Sequence, residues 1–319
     1  MDFLYHYSNN TGIFGILQSK SIRLSDVRKS NDFKEMTLFY PRIMRSLWKS
    51  YRKDPFPLEY NGEKDDRAFS ELMEITEAIL DDEFESGKLS NLVACFSEKA
   101  DLLSQWRGYA DDGRGCSIGF SRECMEAFCE KSNGVLRLEK VTYLRDDEIQ
   151  ELVDKSADEI ILMLRDLRQW IVDNMTLDNE DPDTDGLLAF NFHGAIKGFL
   201  NNSLAYKSVG FAEESEWRLL LVDTVYKVPE WIYGQDEEMT GPTGFKETIS
   251  FLRKRVEFNI TMDDIKPYIP LFFSEFANNP VAELWLGPKS RISTIDIELF
   301  LAKFGYQDVS VKQSEISYI

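Results

Sequence analysis

The chain has 319 residues, of which 43% are hydrophobic, and a net charge of −19 at pH 7. This length suits one large domain or two small ones with a sizeable core. No apolar run reaches the roughly 18–20 residues of a membrane span, and the first residues lack the pattern of a secretory signal, so we expect a cytoplasmic protein with no membrane partner.

Short strands and helices alternate irregularly along the chain. Period-two patterns predict strands at 3–8, 22–26, 91–97, 116–120, 135–143, 255–260, 282–288 and 308–314. Helical spacing of apolar residues predicts helices at 13–19, 33–51, 67–86, 121–131, 146–172, 187–204 and 293–304. Thr11 is the predicted cap of the first helix, 54–66 and 178–186 are predicted loops, 207–223 runs from a loop into a strand, and 229–250 is rich in turn residues. This irregular order favours an α+β fold over a doubly wound sheet.

The negative charge is concentrated in two segments. Residues 54–86 hold 12 acidic and 2 basic residues, and residues 146–185 hold 14 and 3. We interpret both as solvated helix faces that lie away from any cleft. Residues 1–53 are basic, and we expect the cationic side chains of the second helix to lie nearer to the cleft. Those side chains, which leave a nucleic-acid or phosphate-bearing partner open despite the low pI, are Arg42, Arg45, Lys49 and Arg52.

Residues 101–120 combine a cluster of aromatic and basic side chains with a glycine-containing turn. Trp106, Arg107 and Tyr109 fall in about one helical turn, and the turn D-D-G-R-G follows them. Gly113 and Gly115 allow positive φ or the close approach of a ligand. A guanidinium beside two aromatic rings suits a planar, anionic or nucleotide-like ligand. The structural alternative is that Trp106 lies in the core and Arg107 pairs with a carboxylate.

The first predicted strand carries one of the chain's two histidines. Alternation places His6 on one face with Leu4 and Ser8, and Tyr5 and Tyr7 on the other. A histidine on a strand can hold one defined hydrogen bond in a cleft. The alternative is a half-buried histidine whose hydrogen bonds are satisfied within the fold.

A second polar cluster begins the strand near residue 216. Spacing of two places Glu214, Glu216 and Arg218 on one face, with Trp217 on the other. Two carboxylates and a guanidinium at the start of a buried strand resemble the edge of an active site. The alternative is an Arg–Glu ion pair across neighbouring strands, which contributes little. The chain has only two histidines and no C-x-x-C pair, so we expect no metal site and reduced cysteines.

The order of these motifs carries a resemblance to a known family. The pieces are L-Y-H-Y-S, L-Q-S-K-S-I-R-L-S-D, N-D-F-K-E, S-Q-W-R-G-Y-A-D-D-G-R-G-C-S-I-G-F and E-S-E-W-R-L, followed by L-G-P-K at 286–289. Together they resemble a bacterial family known as domain of unknown function twenty-nine seventy-one. That family is similar to a distant branch of the ADP-ribosyltransferase superfamily, some members of which are toxins or phage-defence effectors.

The resemblance implies a fold and a set of site residues. It implies a single ADP-ribosyltransferase-like domain over 1–319, with a split β-sheet core and acidic helical insertions at about 54–86 and 146–185. It implies catalytic roles for Glu216 and Glu214, and an acceptor contact for Phe211. The residues it implies for NAD binding are His6, Tyr7, Ser8, Trp106, Arg107 and Tyr109.

The leading hypothesis is therefore an NAD-dependent ADP-ribosyltransferase that modifies nucleic acid or protein, in a toxin or phage-defence system with an antitoxin or other defence partner. Glu216 would stabilise the cationic centre that forms as the C–N bond breaks. Arg107 would hold pyrophosphate, and Tyr7 or Tyr109 would stack on nicotinamide. One alternative is a non-catalytic module that senses a nucleotide or a partner. Another is a metal-dependent nuclease that uses Glu214 and Glu216.

Overall fold

The computed structural model of the chain describes residues 2–27, 33–86, 89–132, 134, 136–175, 184–225, 256–260 and 264–318. The predicted turn-rich segment 229–250 and most of the predicted loop 178–186 lie outside these residues. Strands lie at Phe3–Ser8 (β1), Ser21–Asp26 (β2), Glu59–Tyr60 (β3), Glu63–Lys64 (β4), Leu89–Ser97 (β5), Cys116–Ser121 (β6), Leu136–Lys140 (β7), Thr142–Leu144 (β8), Tyr206–Ser208 (β9), Glu216–Val225 (β10), Glu257–Ile260 (β11), Ile265–Phe272 (β12), Val281–Leu286 (β13) and Ser310–Gln313 (β14). Helices lie at Asn10–Ser19 (α1), Phe33–Lys53 (α2), Asp66–Ser86 (α3), Leu103–Tyr109 (α4), Arg122–Lys131 (α5), Asp146–Met175 (α6), Thr184–Asn202 (α7) and Thr294–Phe304 (α8).

The chain divides into two compact units. The first contains residues 1–30, 91–142 and 210–319, and the second contains residues 31–90 and 143–209. Both predicted acidic segments therefore fall in the second unit. The mixture of helices with a mixed sheet agrees with the predicted α+β fold. The assignment of the whole chain to a single domain stays a prediction.

One large sheet organises the first unit. Its described strands follow the order β11-β12-β2-β5-β1-β6-β13-β14, with β10 beside β5 and β7 beside β10. The pair β13–β14 is parallel, whereas β1 runs antiparallel to both β5 and β6. Because side chains alternate along β1, Leu4 enters the main core with Ile13 of α1. Tyr5 and Tyr7 enter a separate small cluster with Trp106 of α4. The two helices therefore reach β1 from opposite faces of the sheet.

Helices dominate the second unit. The predicted helical spacing in α2 is confirmed, because Ile43, Leu47 and Tyr51 are all fully buried. Phe69 of α3 stacks on Tyr51 with ring centroids 4.1 Å apart, and Phe192 of α7 meets Phe69 edge-on. These aromatic contacts join three helices around one core.

Three local predictions need correction. The side chain of Asn9, and not Thr11, caps α1 by accepting a hydrogen bond from Gly12 N at 2.8 Å. The predicted loop 54–66 contains the hairpin β3–β4, whose turn residues Asn61 and Gly62 both have positive φ, as a tight hairpin turn requires. Strand β12 was not predicted because prolines interrupt its pattern, yet it pairs with β2 along five residues.

Candidate functional site

His6 lies on the central strand β1 and faces the main core. Its Nδ1 is 2.9 Å from the carbonyl oxygen of Cys95 on β5, and its ring lies 5.8 Å from that of Phe96. Since a carbonyl only accepts, Nδ1 carries the proton and Nε2 is left as an acceptor. Burial lowers the pKa of His6 below its ordinary value, although the bond to Cys95 opposes this. The structure thus holds a neutral imidazole in one tautomer.

Tyr7 and Trp106 pack together on the opposite face of β1. The Tyr7 hydroxyl donates to the carbonyl of Lys99 at 2.6 Å and accepts from the amide of Leu102 at 3.2 Å. Its ring meets Trp106 edge-on at 4.7 Å, and Trp106 Nε1 donates to Asp101 at 2.6 Å. Burial raises the pKa of Tyr7 far above its ordinary value. Both rings are therefore occupied by contacts that hold α4 against the sheet, as the structural alternative for Trp106 anticipated.

Two further candidate site residues, Arg107 and Tyr109, project from α4 in a different direction from Trp106. Arg107 and Tyr109 are exposed, because Trp106 takes the buried side of this short helix. The guanidinium carbon of Arg107 lies 5.9 Å from the centroid of the Tyr318 ring. Arg107 is thus not buried against a carboxylate, which was the alternative considered for it.

The predicted E-x-E motif begins β10 next to the end of β5. Ser97 donates its hydroxyl to the carbonyl of Glu214 at 2.6 Å, and Glu98 donates its amide to the carbonyl of Ser215 at 3.0 Å. Ser215 has φ of 46°, so the backbone turns sharply just before Glu216. Phe211 lies exposed on the 3₁₀ turn Val209–Glu214 that precedes this bend.

Glu216 and Arg218 form a buried ion pair within β10. The predicted shared face is confirmed for these two residues, while Glu214 lies on the 3₁₀ turn that precedes the strand. Arg218 Nε and one terminal nitrogen donate to the two carboxylate oxygens at 2.8 and 3.1 Å. Their side chains are only 6% and 2% exposed. The guanidinium and the carboxylate therefore compensate each other's charge out of contact with water. This pair lies within one strand, whereas the alternative considered was an ion pair between neighbouring strands.

The sheet separates the predicted site residues into two groups. His6 shares its face of the sheet with Leu4 and the main core. Leu219 and Leu221 of β10 also enter that core, so alternation places Glu216 and Arg218 on the opposite face, which carries Tyr7 and α4. The bend before Glu216 contacts the end of β5 at Ser97 and Glu98. Ser8 is half-buried beside the first turn of α1, where a side chain at residue 12 would clash with its hydroxyl.

Sequence reasoning missed a buried carboxylate on the face that carries Tyr5. Glu283 of β13 accepts hydrogen bonds from Lys312 at 2.6 Å, from Trp285 at 2.9 Å and from Tyr5 at 3.0 Å. Burial alone would raise the pKa of Glu283, but these hydrogen bonds outweigh it and hold the pKa below its usual range. The only signal was an acid inside the apolar stretch V-A-E-L-W-L. Its partners come from distant parts of the chain and could not be predicted.

The basic face of α2 makes ion pairs within the second unit. Arg42 pairs with Asp146 and Lys49 with Asp154, at 2.5 and 2.7 Å, across the helix pair α2–α6 of the second unit. Arg52 lies over the ring of Trp48. The acidic helix α6 is therefore a partner of α2, and the expectation that these cations favour a nucleic-acid partner stays a prediction.

The fold and its polar contacts define an α+β protein with a histidine and an E-x-E motif joined through one strand end. Residues 105–219 match the sequence model of a family described as "Protein of unknown function (DUF2971)". The predicted resemblance to this family is thus confirmed over just over a third of the chain, from α4 into β10. No curated protein and no solved structure matches the chain. Among the described residues, no helix is long and apolar enough to cross a membrane.

Proposed function

We propose that the chain is an NAD-dependent ADP-ribosyltransferase with an ADP-ribosyltransferase-like sheet core. The observation that supports this most is the strand end of β5. It joins the first-strand histidine, through Cys95, to the bend that carries Glu214 and Glu216, through Ser97. The resemblance described above implies a first-strand residue and a later glutamate that act on the same ribose.

In this proposal His6 orders the ribose of NAD. A neutral imidazole with Nδ1 bonded to Cys95 presents Nε2 as an acceptor, which suits a ribose hydroxyl as donor. No hydrogen bond to Nε2 is made by the described part of the chain. Ser8, two residues further along the same face, would contact the same sugar.

The two glutamates differ in what they can do. Transfer from NAD breaks the bond between the ribose and nicotinamide, and the positive charge that develops on the sugar needs a nearby anion. Glu216 is bonded to Arg218 in the structure, so it would act only after Arg218 turned to another partner. Glu214 is half-exposed on the 3₁₀ turn that precedes the same strand, outside the Glu216–Arg218 pair. We therefore assign the first contact with the ribose to Glu214.

The remaining roles concern the pyrophosphate and an aromatic ring of NAD, and the acceptor. Phe211 is exposed on the turn before Glu214, where it would meet an acceptor nucleic acid or protein. Arg107 and Tyr109 would contact pyrophosphate and an aromatic ring, and their exposure on α4 leaves both side chains accessible. Such an enzyme would act in the cytoplasm of a bacterium as a toxin or phage-defence effector, with an antitoxin or other defence partner.

The test is transfer of label from NAD. The protein is incubated with NAD labelled in the adenylate and with cell extract, and the products are digested separately with protease and with nuclease. We expect Glu214→Gln and His6→Ala to lose label transfer. Glu213→Gln, an exposed neighbour, is the matched control and should retain it. Full transfer of label by both Glu214→Gln and Glu216→Gln would contradict the proposal.

A second candidate is a module that binds a nucleotide without turning it over. The Glu216–Arg218 pair favours it, because a compensated carboxylate stabilises a cation poorly. Binding of NAD by calorimetry, with no nicotinamide release in any extract, would favour this candidate over the enzyme. The nuclease alternative has no support in the described residues, where no group of three or more His, Cys, Asp or Glu side chains could hold a metal ion.

A further inference from the structure

The segment after β14 returns to the stretch around α4 and is anchored there. Asp101, which precedes α4, accepts from the Ser314 hydroxyl at 2.6 Å and from the Glu315 amide at 2.8 Å. Ile316 packs beside the small cluster of Tyr5, Tyr7 and Trp106. Since Asp101 also accepts from Trp106, this segment and α4 share one anchor.

Beyond this anchor, the ring of Tyr318 fills a site between two cations. Lys289 Nζ lies 3.9 Å from the ring centroid, and the guanidinium carbon of Arg107 lies 5.9 Å from it. Both distances fall within the range of a cation–π contact. The Tyr318 hydroxyl donates to Asp112 at 2.6 Å, and Lys289 donates to the other oxygen of Asp112 at 2.9 Å. The ring is thus held on its face by cations and on its edge by a carboxylate.

The backbone around this ring is built for close approach. Asp111, Asp112 and Gly113 all have positive φ, of 49°, 52° and 83°, which is strained for the two aspartates. The amide of Lys289 donates to the carbonyl of Gly113 at 2.8 Å, so the D-D-G-R-G turn and the L-G-P-K segment are locked together. A Cβ at Gly113 would lie 3.0 Å from Pro288 and 3.5 Å from the Tyr318 ring. A strained turn that presents a carboxylate beside two cations is typical of a ligand site.

Tyr318 does not use everything this site offers. It supplies an aromatic face and one donor, but it has no negative charge for the exposed Arg107; the charge of Lys289 is already met by Asp112. A ligand that satisfies Asp112, the two cations and Arg107's charge has an aromatic ring, an N–H donor on the ring's edge and an anionic group. We propose that this site binds a nucleotide whose base carries an exocyclic amino group, and that Tyr318 occupies the site in its absence. The base replaces the Tyr318 ring, the amino group donates to Asp112, and the phosphate pairs with Arg107.

This inference shares Arg107 with the proposed NAD site, but it does not depend on the transfer reaction, because it concerns binding at the α4 face and involves neither His6 nor the glutamates of β10. The probes are AMP, purine riboside 5′-monophosphate, which lacks the amino group, and ribose 5-phosphate, which lacks the base. Affinities are measured by calorimetry on the full chain. Tyr318→Ala removes the internal competitor, whereas Ser317→Ala, an exposed neighbouring substitution, is the matched control.

We expect Tyr318→Ala to bind AMP about tenfold more tightly than the unmodified protein, since an intramolecular competitor lowers the apparent affinity by the fraction of sites it fills. Ser317→Ala should bind AMP as the unmodified protein does. The Tyr318→Ala protein should bind AMP more tightly than it binds either other probe. When Asp112→Ala is combined with Tyr318→Ala, AMP and purine riboside 5′-monophosphate should bind with equal affinity. Equal affinity of the unmodified and Tyr318→Ala proteins for AMP, or no preference for the amino group, would overturn the proposal.

A second measurement uses the unmodified protein, so the result does not rest on the folding of a variant. Hydrogen exchange is followed at the amides of Glu315 and Ile316, which donate to Asp101 and to Ser314. Millimolar AMP should speed their exchange as the ring of Tyr318 leaves its position between the two cations, and ribose 5-phosphate should not. Unchanged exchange with AMP bound would show that the nucleotide lies elsewhere and would refute the proposal.

Discussion

The Glu216–Arg218 pair makes a quantitative prediction about stability. Replacing Glu216 by Gln keeps the shape of the side chain but removes the negative charge that pairs with the Arg218 guanidinium, which is 2% exposed. Removing one partner of a buried ion pair costs about 3–5 kcal/mol, because the remaining charge stays out of water. At about 2–4 °C per kcal/mol for a unit of this size, Glu216→Gln should lower Tm by about 6–20 °C.

A matched control lies on the neighbouring strand β7. Arg137 and Glu139 also stand two residues apart on one strand, with Nε and Oε1 3.2 Å apart, but their side chains are 33% and 29% exposed. Glu139→Gln should therefore cost less than Glu216→Gln, because this pair is partly exposed to water. The assay is urea unfolding followed by circular dichroism, with the same slope required for each variant. Replacing Glu216 and Arg218 together by Met should restore most of the stability.

An equal, small loss for Glu216→Gln and Glu139→Gln would refute this reasoning. It would mean that water reaches Arg218 and that the burial of the pair is incomplete. The predicted loss of stability also affects how the transferase activity of Glu216→Gln is measured. A Glu216→Gln protein must be assayed well below its lowered Tm, because loss of activity above that temperature reports unfolding and says nothing about a catalytic role.

Three further predictions follow from single contacts. The pKa of His6 is lowered from 6.5, so the unfolded chain binds a proton on this residue more readily than the folded chain does. The free energy of unfolding should therefore fall as the pH drops below about 6.5. In calorimetry, Tm should depend less on pH in His6→Gln than in the unmodified protein. Gly115→Ala should cost about 1–3 kcal/mol or more in urea unfolding, because its Cβ would clash with the Ser8 carbonyl, whereas Gly108→Ala, with open space, should gain up to about 1 kcal/mol. Tyr7→Phe leaves two backbone groups without their partner and should cost about 1–3 kcal/mol by the same assay, and a loss below 0.5 kcal/mol would argue that water replaces the hydroxyl.

Local patterns predicted most elements and failed where distant contacts decide. The spacing in α2 and α6 identified their buried faces, because each face follows from helical geometry alone. Spacing of two likewise placed Glu216 and Arg218 together. Strand β12 escaped prediction because its sequence contains Pro267 and Pro270, and only its pairing with β2 and β11 makes it a strand.

The sequence predicted individual side chains of the candidate site, but it did not predict how they are arranged in space. Helical geometry sends Trp106 and Arg107 in different directions, yet it does not reveal which face of the sheet α4 covers. That depends on Trp106 meeting Tyr7, about a hundred residues away in the chain. The contact between Asp112 and Tyr318, 206 residues apart, has no local signal at all. Prediction therefore found the reactive side chains and missed that the sheet divides them.

This division bears on any function that the chain performs. The end of β5 and the residue after it contact two other elements within four residues: Cys95 accepts from His6 of β1, while Ser97 donates to Glu214 and Glu98 donates to Ser215 in the bend before β10. Alternation nevertheless places the Glu216 side chain on the face opposite His6, because Leu219 and Leu221 of the same strand enter the main core. Arg107 and the Tyr318 ring lie with α4 against that opposite face. A ligand held by His6 would therefore have to extend around the sheet to touch Arg107, as the proposed NAD site requires. The residues that stand out together in the sequence thus lie on two faces of one sheet.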